Sequence, residues 1–274
     1  ATCILRAGLK PVFVDIDHNY EMDIDDANLK VTKNTKCVLV VNIFGKAISR
    51  LKIKRFAKMN KLKVIEDNAQ SFGAKSEGEI SGMMGNFSCL SFDPTKLISA
   101  YGSGGAVLTD SFANYKKIKR LRYHGKEFGE FRELGYNSQL SSMNAELLRF
   151  KIKLKKINKK KRIEYANFYI ENLSNKFITP KIEYKDNHVF HKFVIRTKKR
   201  DSLIEYCKSN NIEVMIHYDK PIYQNKIFKK LNYKCKNAEN YCKEVLSLPI
   251  HSYLNQNELN YIVKKLNKFA MQSL

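Results

Sequence analysis

Val64-Ile65-Glu66-Asp67-Asn68-Ala69-Gln70 runs from two β-branched apolar residues into two acids and then into amides. The apolar part predicts a short strand over Leu62 to Asp67, and the polar part predicts its end. Upstream, Lys36 to Gly45 (KCVLVVNIFG) is a nearly continuous apolar run, the pattern of a strand covered on both faces. Between the two, Ile48 to Asn60 carries apolar residues at helical spacing through Leu51, Ile53, Phe56 and Ala57. Strand, helix, strand at this spacing predicts a mostly parallel sheet with helices on its faces. Lys10 to Asp17, Phe87 to Phe92 and Gly105 to Thr109 read as further strands. Ligands of such sheets bind at the carboxyl ends of the strands, and Asp67 stands at one.

The second half reads differently. Ser141 or Ser142 is suited to cap a long helix with an apolar stripe through Leu147, Phe150, Leu154, Ile157, Tyr165 and Phe168. The basic run Lys151 to Arg162 then falls on the opposite, solvated face. Beyond it, His188 to Arg196 and Ile212 to Tyr218 read as strands, and Arg200 to Asn210 and Glu258 to Phe269 as helices. The expected division is a large α/β domain over 1–140, and a linking helix with a small α+β domain over 141–274.

The chain has 274 residues, 43% of them hydrophobic, enough for a sizeable core. Its 50 Lys and Arg against 27 Asp and Glu give a net charge of +23. The lysines are spread along the whole chain, without the interleaved aromatics and glycines of nucleic-acid modules, so no nucleic-acid partner is expected. The charge favours anionic, phosphorylated substrates instead. The six cysteines show no metal-ligand spacing and no CxxC pair, a usage that fits a reducing cytoplasm. No signal peptide or membrane-spanning run is expected, and no metal.

Downstream of the first motif come Ser91-Phe92-Asp93-Pro94-Thr95-Lys96 and Tyr101-Gly102-Ser103-Gly104-Gly105. An acid at a strand end, a lysine on a turn and a glycine-rich segment suit pyridoxal 5'-phosphate (PLP). That cofactor needs an imine-forming lysine and a carboxylate for its pyridinium nitrogen. A free lysine, with a pKa of about 10.4, is a poor nucleophile at neutral pH, so Lys96 needs a site that activates it. The glycines let backbone turn tightly or pass close to a ligand. His188, His191 and His217 are read as satisfied structural residues at least as readily as ligands.

The segments VIEDNAQSFGA, SFDPTK, YGSGGAVLTD, LGYNSQLSSMNAELL, IHYDKPIYQ and LSLPI together resemble the DegT/DnrJ/EryC1/StrS family, PLP-dependent aminotransferases acting on nucleotide-linked keto-sugars. The resemblance implies a fold-type I PLP-dependent transferase, with a mixed, mostly parallel sheet domain and a smaller C-terminal α+β domain. It implies that Lys96 forms the imine and shuttles a proton, and that Asp67 partners the pyridine nitrogen. Gln70 would bond the phenolic oxygen and Ser91 the phosphate. Asn137 would reach the partner's cofactor phosphate across a homodimer, and His217 and Tyr218 would lie near the sugar nucleotide. Glutamate is the implied amino donor, and the product would feed glycan or lipopolysaccharide synthesis. Lys96 argues against the relatives that replace this lysine with histidine and act as dehydratases.

Three departures stand out. Gln139 occupies a position where many members carry Arg, and the GYNSQL wording is closer to the branch acting on 3-keto sugars. The chain also opens at Ala1, so the family's upstream Gly-Thr phosphate site and ring-stacking aromatic are expected to be missing. On that expectation an N-terminally truncated, inactive dimerising scaffold is the alternative reading.

Overall fold

The computed structural model describes residues 1–183 and 186–272. Its main strands are β1 (Cys37–Val41), β2 (Lys63–Asp67), β3 (Phe87–Ser91), β4 (Gly105–Leu108), β5 (Phe193–Arg196) and β6 (Val245–Leu248). The chain forms two compact units. One comprises Ala1–Thr35, Lys161–Lys185 and Lys192–Leu274, and the other Lys36–Lys160 and Asp186–His191. The units are not contiguous in sequence, and residues 140 and 141 both lie inside the second.

The second unit is built on a four-stranded sheet in the order β1-β2-β3-β4. The first two pairings are parallel and the last is antiparallel. The helix Arg50–Met59 connects β1 to β2, capped by the Ser49 hydroxyl, which accepts the Lys52 N–H at 3.3 Å. Side chains alternate across the sheet. Val40, Val64, Glu66 and Ser88 face the buried side, whereas Val41, Cys89 and Val107 stand on the open side. Asp67 pairs with Cys89, so Asp67, Cys89 and Ser91 share the open face.

The long helix runs from Ser142 to Asn172, with the Asn144 N–H donating to Ser141 Oγ at 3.2 Å. Along its first half the expected faces are exchanged. Phe150 and Ile157 are both 59% exposed. Lys151 instead donates to the Ser99 carbonyl at 2.7 Å, Lys155 lies 5.4 Å from the Phe72 ring, and Lys159 donates to the Gly73 carbonyl at 3.0 Å. Lys159 also pairs with Asp186 at 2.8 Å. Spaced by four, these lysines lay their apolar stems inward; the tips of Lys151 and Lys159 find carbonyl and carboxylate acceptors, and that of Lys155 an aromatic ring. Apolarity alone ranked the faces wrongly because it assigns a long lysine stem no packing value. Lys159→Met should therefore cost about 1–2 kcal/mol, whereas Lys153→Met on an exposed position should cost about 0. Urea denaturation of the two variants measures the difference.

The first unit has a small antiparallel pair, β5 with β6, all eight residues buried. The helix Gln256–Gln272 buries Leu259, Ile262, Val263, Leu266 and Phe269 in this unit. Asn255 and Glu258 form a reciprocal cap at its start: the Glu258 N–H donates to Asn255 Oδ1 at 3.0 Å and the Asn255 N–H to Glu258 Oε2 at 2.8 Å.

Three expected strands are shorter or absent. Lys10 to Asp17 makes only an isolated bridge, Ile16 with Met22. Pro11 has no N–H to offer a ladder, and Phe13 turns into an aromatic cluster with Tyr223, Phe228 and Tyr233 at 5.3 to 5.7 Å. Ile212 to Tyr218 makes a single bridge, Met215 with Ser247. His188 to Arg196 is strand only over Phe193–Arg196, because Asp186–His191 belongs to the other unit, where Lys46 bridges His188. Alternation is a property of any extended chain; only a partner strand turns it into sheet.

Candidate active site

Asp67 ends β2 and Ser91 ends the neighbouring parallel β3, at the carboxyl edge of the sheet. Asp67 Oδ1 accepts the Ala69 N–H at 3.0 Å, which starts a tight turn. That turn is held from below by Asn68, which is 1% exposed. Asn68 donates to Ser88 Oγ at 2.6 Å and accepts from Asn42 Nδ2 at 2.6 Å and from the Ser71 hydroxyl. Glu66, equally buried, accepts from Asn42 Nδ2 at 2.9 Å, Gly82 N at 2.8 Å and Met84 N at 3.2 Å. These three donors satisfy the carboxylate, as a buried acid requires. The sequence reading passed over Asn42, Glu66 and Asn68; three polar residues in an apolar strand context were the available signal.

Gln70 follows on the same turn. Its Oε1 accepts the Phe44 N–H at 2.7 Å. An N–H donor on Oε1 fixes which end of the amide is oxygen, so the NH2 end is the one that donates.

Lys96 is placed by the loop after β3. Asp93 Oδ1 accepts the Thr95 N–H at 3.0 Å and the Thr95 hydroxyl at 2.8 Å, and the Lys96 N–H donates to the Asp93 carbonyl at 2.9 Å. These bonds from Thr95, then the charges of Lys96 and His191, hold the Asp93 carboxyl below the usual range. Pro94 at the turn's second position presets the backbone. Farther on, Phe92 N–H donates to the Gly104 carbonyl at 2.8 Å, and a Cβ on Gly105 would sit 2.9 Å from the Leu90 carbonyl. The glycine pair therefore serves close strand approach.

Gln70, Ser91, Phe92, Lys96 and His191 line one small cavity. The structure thus brings Gln70, Ser91 and Lys96 together, and Asp67 stands one hydrogen bond from Ala69 of the same wall. His191 joins them, which the sequence left undecided. His188 takes the structural role: it is buried, accepts the Phe190 N–H at Nδ1 over 2.9 Å and stacks on the Phe190 ring at 3.9 Å.

Asn137 lies exposed on the surface of this unit, its backbone bridging Tyr123. The preceding Gly135 is obligatory, since a Cβ there would fall 2.0 Å from Gly125 N. Its neighbours Leu134 and Tyr136 are 96% and 67% exposed. His217 and Tyr218 belong to the first unit. There His217 Nδ1 meets Ser247 Oγ at 2.8 Å, and burial followed by the charge of Lys192 lowers its pKa. Among the described residues there is no cluster of three or more potential metal ligands, and no helix long and apolar enough to cross a membrane.

Residues 1–267 match the model of the DegT/DnrJ/EryC1/StrS aminotransferase family. The chain is 36% identical to a "pleiotropic regulatory protein" of Geobacillus stearothermophilus, over 98% of this chain and 75% of that one. It is 33% identical to dTDP-3-amino-3,6-dideoxy-alpha-D-galactopyranose transaminase of Aneurinibacillus thermoaerophilus, over 96% of this chain and 74% of the other. Among solved structures, DesV of S. venezuelae, crystallised in complex with a ketimine intermediate, superposes with a TM-score of 0.94 at 25% identity, over 98% of this chain and 74% of that one. The sheet, the strand-end acid and the lysine turn have the same explanation as these matches: the chain belongs to the DegT/DnrJ/EryC1/StrS aminotransferase family.

Proposed function

We propose that this chain, with PLP as cofactor, moves an amino group from glutamate to a nucleotide-linked keto-sugar, and that a 3-keto sugar is the acceptor. The observation that carries the reading is the shared wall of Gln70, Ser91 and Lys96, with Asp67 on the sheet face that also bears Ser91. Bound PLP supplies an aldehyde that carries nitrogen between donor and acceptor, and an electron-poor ring that stabilises charge at the reacting carbon.

The residues suit that group. Asp67 would keep a proton on the ring nitrogen, since opposite charges favour each other's charged form. Gln70, its Oε1 accepting the Phe44 N–H, would give an N–H to the phenolic oxygen. The Ser91 hydroxyl would donate to phosphate. Lys96 Nζ would attach the cofactor and, once displaced, move the proton at the reacting carbon. Asn137, on an exposed surface with apolar neighbours, supports a homodimer in which it serves the partner's cofactor phosphate. His217, oriented by Ser247, and Tyr218 are proposed for the sugar-nucleotide side. The 3-keto assignment is supported by the GYNSQL wording and by the 3-amino product in the name of the Aneurinibacillus relative. All six cysteines are free thiols, as a reducing compartment keeps them, and we place the reaction in the cytoplasm.

PLP added to the purified protein should produce a visible absorption band that glutamate bleaches with release of 2-oxoglutarate. A protein that stays colourless at saturating PLP would overturn the reading. With the loaded protein, a panel of dTDP- and UDP-linked 3-keto and 4-keto sugars should restore the band only with the true acceptor class.

A further inference from the structure

Asn42 stands just past the end of β1, is 1% exposed, and makes four hydrogen bonds. Its Nδ2 donates to Glu66 Oε1 at 2.9 Å and to Asn68 Oδ1 at 2.6 Å, and its Oδ1 accepts the Ile48 N–H at 2.9 Å. Its backbone N–H donates to the Asp67 carbonyl at 3.1 Å. One amide side chain thus ties the end of β1 to the motif at the end of β2, and closes the loop from Asn42 to Ile48 on itself.

Phe44 sits inside that loop in the left-handed region, with φ of 58°, and its N–H reaches Gln70 Oε1. Little slack remains around it. Gly45 adopts φ of 102°, and a Cβ there would lie 2.7 Å from His191 N. On the far side the loop is held by Val189 N–H to the Gly45 carbonyl at 2.9 Å and Ala47 N–H to the Asn187 carbonyl at 2.8 Å. Asn42 holds the near side. An amide fits here and a carboxylate does not, because Nδ2 must donate to the Glu66 carboxylate while Oδ1 accepts.

We infer that Asn42 is a positioning residue for Gln70: by holding the loop from Asn42 to Ile48 it aims the Phe44 N–H at Gln70 Oε1, so that the Gln70 amide offers its NH2 to the cofactor. The inference rests on the proposed cofactor role of Gln70. It separates Asn42 from its bonded neighbours. Glu66 keeps two backbone donors and Asn68 keeps Ser71 and Ser88 if Asn42 is removed, whereas the side-chain acceptor of Ile48 N–H is lost outright.

A double-mutant cycle tests it. The variants are Asn42→Ser, Gln70→Ala and both together, read by PLP dissociation constant, melting temperature and amide hydrogen exchange at Phe44. Asn42→Ser should weaken PLP binding about tenfold, the equivalent of one hydrogen bond. It should speed exchange at Phe44 while the amides of β2 stay protected. In the Gln70→Ala background the same substitution should leave PLP affinity unchanged, although its effect on melting temperature persists. An equal loss of PLP affinity in both backgrounds, or unchanged exchange at Phe44, would overturn the inference and leave Asn42 a purely structural residue. If the unmodified chain takes up no PLP, the cofactor reading fails by itself, and exchange at Phe44 decides the positioning claim. Asn42→Thr, closer in volume, replaces Asn42→Ser if the serine variant does not fold.

Discussion

Lys96→Ala is expected to reduce transamination by at least about a thousandfold while leaving the fold intact, because it removes both the nucleophile and the proton carrier. Lys96 lies on a loop whose shape is set by Asp93, Pro94 and Thr95 rather than by the lysine side chain, so its loss should move the melting temperature little. Lys96→Arg should be equally inactive. A guanidinium keeps the positive charge but stays protonated at any working pH and cannot act as a nucleophile. If the arginine variant retains turnover, Lys96 acts only as a charge and the covalent role is wrong. The half-reaction with glutamate reads the effect before the acceptor sugar is known: neither variant should release 2-oxoglutarate.

The second large effect concerns stability and pH. Burial, followed by the charge of Lys46, pushes the His188 pKa down to about 3. The neutral ring is the one the fold uses, since Nδ1 accepts the Phe190 N–H and a proton there would oppose that donor. An unfolded histidine titrates near the ordinary value of about 6.5, so between that value and about 3 the unfolded chain binds the extra proton. Stability contributed by His188 is therefore fully present above the unfolded pKa and is lost as pH falls below it. At pH 5 the loss should be about 2 kcal/mol. His188→Asn, whose Oδ1 substitutes for Nδ1 as an acceptor but does not titrate, should be less stable at neutral pH and show a shallower decline between pH 7 and pH 5. Parallel slopes for the two proteins in urea denaturation would assign the acid sensitivity to other groups.

Both predictions depend on short stretches, and those stretches differ in how far sequence alone could read them. The placement of Lys96 on a turn and of Asp67 at a strand end was legible because both are local features. A strand must end before an acid can cap it, and an Asx turn around proline positions the lysine within a few residues. His188 was not legible, because its buried state depends on Gly45 and Lys46, far away in the chain, pairing with the segment that carries it. His191 was undecided for the same reason. The helix Ser142–Asn172 shows the limit from another side. Its cap was readable to within one residue, Ser141 or Ser142, but which face it buries was decided by where Ser99, Gly73 and Asp186 offered acceptors to its lysines.

Sequence by itself determined the parallel core of β1, β2 and β3, the lysine turn and the family, because apolar runs, turn residues and motif order are properties of consecutive residues. Tertiary structure decided which extended runs became strands, which half of His188 to Arg196 joined which unit, and which side chains meet Lys96 in one cavity. Hydrogen-bond partners and burial belong to pairs of residues distant in the chain, and only folding brings such pairs together.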